Sequence, residues 1–143
     1  FRSQNGNELD QLLNYPFIRY SSTQAMGRLI DAHLLRQKIN IPHKFELDSY
    51  HASLALVANK AAWTITTPLG FSHALRFQSE VELLPLPMKG FTRTISVLSR
   101  ADGFEKMPKH IASLIRILLQ RTILTDLIEK FPWLEGDLCI LDT

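Results

Sequence analysis

Aromatic and branched runs alternate with stretches of helical periodicity over most of this chain, and that alternation constrains its fold more than any other feature. Tyr15 to Tyr20 (YPFIRY) reads as a strand, because aromatic and β-branched side chains suit a pleated surface. A helix is predicted to follow at once, from Ser22 to Gln37. Met26, Leu29, Ile30, His33 and Leu34 recur there at spacings of three and four, which places them on one stripe. Ser21 and Gln24 have the capping-box spacing, so Ser21 is the expected N-cap. Pro42 marks a turn, Lys44 to Leu47 a second strand, and Asp48 with Ser49 the cap of a helix reaching Asn59. Tyr50, Leu54, Val57 and Ala58 are its expected inward residues. A third strand, Ala62 to Thr66, is closed by Pro68, and residues 70–77 suit a short helical turn. VELLPL (81–86) reads as a fourth strand that Pro85 confines to an edge or a terminus. TRTISVLS (92–99) reads as a fifth, with Ile95 and Val97 alternating against Thr94 and Ser96. Pro108 opens a long helix to Lys130, with Ile111, Leu114, Ile115, Leu118 and Leu119 as its apolar face. The tail from Phe131 is irregular or strand-like. Strand then helix, repeated, predicts an α/β fold with a mostly parallel sheet flanked by helices. Residues 85–91 (PLPMKGF), with two prolines and a glycine, are the expected hinge or boundary.

Composition removes several function classes. The 143 residues, 45% of them hydrophobic, suffice for one domain with a real core and not for two large ones. A net charge of +2 gives no basic field of the kind nucleic-acid binding requires, and the acids form no tail. No apolar run approaches the roughly 18 residues of a membrane span, so no membrane partner is expected. One cysteine, Cys139, excludes an internal disulfide and fits a cytoplasmic protein; it has no base nearby and reads as a passive thiol. The first residue is Phe1, so the chain is expected to be a piece of a longer one. There is no G-x-S-x-G elbow, no H-E-x-x-H and no glycine-rich phosphate loop. Histidines 33, 43, 51, 73 and 110 make no i, i+4 pair, so neither a metal nor any other cofactor is expected, and no catalytic residue is assigned. His33, on an apolar stripe, reads as a packed histidine. Lys106, Lys109 and His110 read as a solvated face.

Two corners carry what functional signal there is. Ligands of open parallel sheets bind beyond the C-terminal ends of the strands. The turn after the first strand holds Tyr20, Ser21, Ser22 and Thr23 at a helix N-terminus, where free N–H groups and the dipole favour an anion. Arg19 is a candidate for added charge. The other reading is that Ser21 caps the helix while its neighbours face water. The second corner, AWTITTPLG, holds Thr66 and Thr67 at a strand exit with Trp63 nearby. Both corners are expected on one edge of the sheet, facing one crevice.

The ordered segments PFIRYSSTQAMGRLID, FELD, SLALVANKAAWTITTPL, VELLPLP and RTISVLSRADGFEKMP resemble the effector-binding domain of LysR-type transcriptional regulators. The similarity runs from about Asn7 to Gln120. Its strongest piece is LVANKAAWTITTP, although Asn59, Lys60, Ala61 and Ala62 stand where the family usually has glycines. The resemblance implies a periplasmic-binding-protein-like (type 2) fold. Residues 1–90 would form the second effector-binding subdomain, and 91–143 the return strand and helix of the first. The rest of that subdomain and an N-terminal DNA-binding domain would lie outside this chain. Residues 91–143 would then expose an apolar face favouring dimerisation, swapping or disorder. The resemblance further implies a small-molecule effector, expected to be an anion, held by Tyr20, Ser21, Ser22, Thr23, Trp63, Thr66 and Thr67. It implies a dimer or tetramer with one side of the Gln24–Gln37 helix at the contact, and DNA bound only through the missing domain. The alternative is a solute-binding protein of the same fold that delivers a ligand to a transporter.

Overall fold

The computed structural model describes residues 8–59, 62–100 and 107–141. They fall into two compact units, 1–91 and 92–143.

The first unit is built on three short strands, β1 (Phe17–Tyr20), β2 (His43–Leu47) and β3 (Trp63–Thr64). All pairs are parallel and the order is β2-β1-β3. β1 is central, and Phe17, Ile18 and Tyr20 are all buried, as a strand covered on both faces requires. A short helix, α1 (Glu8–Leu12), precedes it. The chain returns from β1 to β2 through α2 (Ala25–Arg36) and from β2 to β3 through α3 (Tyr50–Ala58). The first crossover moves outward and the second passes back over β1. The direction therefore reverses at β1, which makes the exits of β1 and β3 the topological switch point of the sheet.

The predicted stripe of α2 is the buried one: Met26, Ile30, His33 and Leu34 pack inward with Phe17, Tyr20, Ile41 and Ile65 nearby, and Leu29 is half-buried. His33 is a packed histidine. Its Nε2–H donates to the Lys89 carbonyl at 2.7 Å, and its ring lies 4.6 Å from that of Phe91. Residues 85–91 are thereby fastened to α2. In α3 the buried residues are Ser53 and Leu54, while Tyr50, Val57 and Ala58 are half-buried. Ser49 caps it by accepting the Ala52 N–H at 3.3 Å. β3 is followed by α4 (Pro68–Ser72) and a 3₁₀ turn at Leu75–Phe77.

Two predicted strands do not form. Residues 81–86 have no regular structure, nor do 92–100, where Ile95, Val97 and Leu98 are exposed. A period-two pattern needs a neighbouring strand to bond to, and among the described residues neither segment has one. Lys60 and Ala61 of the glycine-replacing turn lie outside the described residues, as does Lys106.

In the second unit, α5 (Met107–Leu119), a π-helical turn (Gln120–Leu124) and α6 (Thr125–Lys130) form one run over the predicted helix. Met107, Ile111, Leu114, Ile117 and Leu118 are exposed on α5, whereas Leu124, Leu127 and Leu134 are buried. The tail continues as a 3₁₀ turn, Pro132–Leu134, and contains no strand among its described residues. Cys139 is a free, exposed thiol.

Candidate functional site

The exits of β1 and β3 meet at the switch point, and the β1 exit is fixed in detail. The Ser21 N–H donates to the Leu47 carbonyl at 3.1 Å, and the Gln24 side-chain amide donates to the Asp48 carbonyl at 2.5 Å. Both bonds tie the corner to the end of β2. The Ser21 carbonyl accepts the Gln24 N–H at 2.9 Å, closing a turn over residues 21–24. That turn displaces the start of the helix. Gln24, with extended backbone, is the N-cap of α2, and no side chain caps it. The expectation that Ser21 caps this helix is therefore corrected. Its hydroxyl lies 2.9 Å from that of Thr23 and accepts the Thr23 N–H at 3.3 Å, so it holds the turn. Ser49→Ala, which removes a true cap, is expected to cost about 1 kcal/mol of stability. Ser21→Ala, at a half-exposed turn, is expected to cost about half of that or less in the same urea titration.

Two α2 residues finish the corner, and neither was singled out from the sequence. Arg28 folds back so that Nη1 donates to the carbonyls of Ser22 at 3.2 Å and Thr23 at 2.6 Å. The side chains of Ser22 and Thr23 remain at the exposed surface beside this cation. Gly27 lets the first turn of α2 lie against the backbone of Tyr20 and Ser21, where a Cβ would sit 2.6 Å and 2.2 Å from their carbonyl oxygens. A glycine two residues into a helix pattern that follows a polar turn was the available signal.

At the β3 exit, the Thr67 hydroxyl accepts the Gly70 N–H at 3.0 Å and caps α4. Thr66 Oγ1 is buried, with no hydrogen-bond partner among the described residues. The Tyr20 hydroxyl shares that condition, on a side chain only 1% exposed whose ring lies 4.9 Å from Tyr50. Burial pushes the Tyr20 phenol up to about 12, opposed by the nearby hydroxyls of Thr66, Thr64 and Ser53 and assisted by Tyr50. It is a neutral hydrogen-bond donor at any ordinary pH.

Two expected members are elsewhere. Trp63 pairs with Phe17 at the opposite end of the strands, with ring centroids 4.7 Å apart and its indole N–H on the Tyr15 carbonyl at 3.2 Å. Strand direction explains this: Trp63 enters β3 and the Thr66–Thr67 pair leaves it. Arg19 is committed to acids. Its Nε donates to Asp31 of α2 at 3.1 Å, Nη2 closes a second bond to the same carboxylate, and Glu46 lies 3.7 Å from Nη1. Successive strand residues face opposite ways, so Arg19 and Tyr20 cannot serve one corner.

The corner thus has hydroxyls, the Arg28 cation and an uncapped helix N-terminus, and among the described residues no nucleophile there is paired with a base. Among the described residues no cluster of His, Cys, Asp and Glu is placed to hold a metal, and no helix is long and apolar enough to cross a membrane. A model of the LysR substrate binding domain matches residues 2–122. No curated protein and no solved structure gives a significant match.

Proposed function

The chain belongs to the LysR substrate-binding domain family, and from that premise we propose that it is the effector-sensing and oligomerisation domain of a cytoplasmic LysR-type transcriptional regulator. Residues 1–90 serve as the second effector-binding subdomain, and residues 91–143 return the chain to the first. The effector is a small anionic metabolite. It is received at the Ser21, Ser22 and Thr23 corner together with Thr67 at the other exit, while Tyr20 and Thr66 lie behind them with their hydroxyls buried.

The observation that carries this reading is the convergence of two hydroxyl-bearing strand exits at the reversal point of a parallel sheet. The sign of the ligand follows from the surroundings. α2 begins without a side-chain cap, so its first N–H groups and dipole favour negative charge. Arg28 sets a guanidinium beside the exposed Ser22 and Thr23. The mechanism is a population shift without chemistry: the effector binds one arrangement of the subdomains better, and the DNA-binding domains follow it. Only differential affinity for the two arrangements produces a response. The exposed apolar residues of α5 provide a surface for the remainder of the first subdomain or a second copy.

A thermal-shift screen of small carboxylates and inorganic anions tests this, since a ligand that binds the folded state raises its melting temperature. For a hit, the combined Ser22→Ala and Thr23→Ala substitution removes two exposed hydroxyls. It is expected to weaken binding about tenfold or more while leaving the ligand-free melting temperature nearly unchanged. Unaltered affinity in that variant would place the ligand elsewhere.

A further inference from the structure

Residues 85–91 form neither helix nor strand, yet they are held closely. Leu86, Met88 and Phe91 pack against the core cluster that contains Met26, Ile30 and Leu34 of α2. Pro85 and Pro87 have a fixed φ, so ordering this segment costs less entropy than ordering a flexible loop. Apolar contact is non-directional and would let such a strap slide by a residue. A polar group on the same stripe of α2 prevents that. His33 is 3% exposed, and its Nε2–H finds an acceptor in the Lys89 carbonyl, 2.7 Å away, while its ring lies 4.6 Å from that of Phe91. The side chain of Lys89 is exposed, as is Gly90. Beyond Phe91 every residue from Thr92 to Arg100 is exposed, and the first unit ends at Phe91.

We propose that His33 is a latch: it keeps residues 85–91 in register on α2, so that the chain turns freely only beyond Phe91. The role of this latch in regulation rests on the effector reading. α2 begins at the corner with Gly27 and Arg28 and carries His33 about a turn and a half further on. The helix that meets the effector therefore also holds the exit of the chain. Any rearrangement that an effector selects pivots after Phe91 rather than inside the proline-containing segment. His33 is a positioning residue, acting through the strap and touching no ligand itself.

Trypsin reads the latch in the whole, ligand-free chain, because the peptide bond it cuts after Lys89 carries the carbonyl that His33 holds. The strap must open before it is cut, and the rate follows the open population. Initial cleavage of the wild type after Lys89 is expected to be about tenfold slower than after the exposed Arg93. His33→Phe keeps a ring against Phe91 but has no donor. It should raise the Lys89 rate, relative to the Arg93 rate, about fivefold. His33→Gln restores an N–H donor and should recover much of the protection. Phe91→Ala, at a half-buried position that threatens the fold less, should open the strap by a similar factor. Wild-type cleavage as fast after Lys89 as after Arg93 would overturn the latch. A folded His33→Phe chain as resistant as wild type would overturn it too. If His33→Phe does not fold, the wild-type ratio and Phe91→Ala decide the matter in the same way. None of these measurements uses a ligand, so a failed latch leaves the Ser22 and Thr23 corner intact, and a corner that binds no anion leaves the latch intact.

Discussion

Gly27→Ala is expected to destabilise the first unit by about 3 kcal/mol, seen as a lower urea midpoint at unchanged slope. The sign is opposite to that of an ordinary helix. In an exposed helix interior the same substitution gains up to ~1 kcal/mol, because alanine propagates helix better than glycine. Here the added Cβ would lie 2.2 Å from the Ser21 oxygen, 2.6 Å from the Tyr20 oxygen and 2.9 Å from the Ser21 carbonyl carbon. All three are backbone atoms, so no side chain can turn aside. Either α2 lifts away from β1, exposing Met26 and Ile30, or the corner itself is pushed out. Effector affinity should fall with stability, since the displaced carbonyls belong to the turn that presents Ser22 and Thr23. Gly70→Ala provides the contrast. Its Cβ would meet the edge of the Tyr50 ring at 2.7 Å and the Thr66 and Thr67 hydroxyls at 3.1 Å. Side chains yield, so its cost is smaller. A Gly27→Ala chain as stable as wild type would refute the close-approach account.

Gly27 also shows where sequence reasoning reached and where it stopped. The parallel sheet was legible because each strand pattern is followed by a helix pattern, and only a crossover joins such strands. The stripe of α2, the buried His33 and the Ser49 cap are local or periodic properties, and each was readable from spacing alone. Ser21 was not, because capping-box spacing is satisfied equally by a tight turn, and what decided between them was the bond from Ser21 to Leu47 on another strand. Arg19, a candidate for added charge at the corner, is drawn away for a related reason. Its partner Asp31 is twelve residues away, and only the packing of α2 on β1 brings them together. Trp63 sits in the right strand at the wrong end.

The strands predicted at 81–86 and 92–99 were failures of context rather than of pattern. Alternating residues state that a segment can pair; a partner strand decides whether it does. Within the described residues neither segment has such a neighbour, and Ile95, Val97 and Leu98 stay in solvent. The apolar residues of α5 follow the same logic. Helical periodicity predicted the helix correctly, because helix hydrogen bonds are internal to the segment, while what its apolar face packs against depends on residues outside the helix.

Tyr20 supplies the second large effect, and it appears only in alkali. Its phenol ordinarily titrates at 10.0 and is held up to about 12 in the folded chain, burial being the main cause. A folded state that keeps its proton longer than the unfolded state loses stability as pH rises, because unfolding then releases that proton. The contribution is whole below pH 10. The wild type should lose about 1 kcal/mol by pH 11 and approach a ceiling of roughly 3 kcal/mol above pH 12. Lysines and the other tyrosines also titrate in this range, so the informative quantity is the difference between wild type and Tyr20→Phe at each pH. That difference should stay level below pH 10 and move in favour of Tyr20→Phe as the pH rises above it. Parallel curves from pH 9 to 12 would mean that the Tyr20 hydroxyl ionises as freely in the folded chain as in the unfolded one, which a phenol sealed behind the strand exits cannot do.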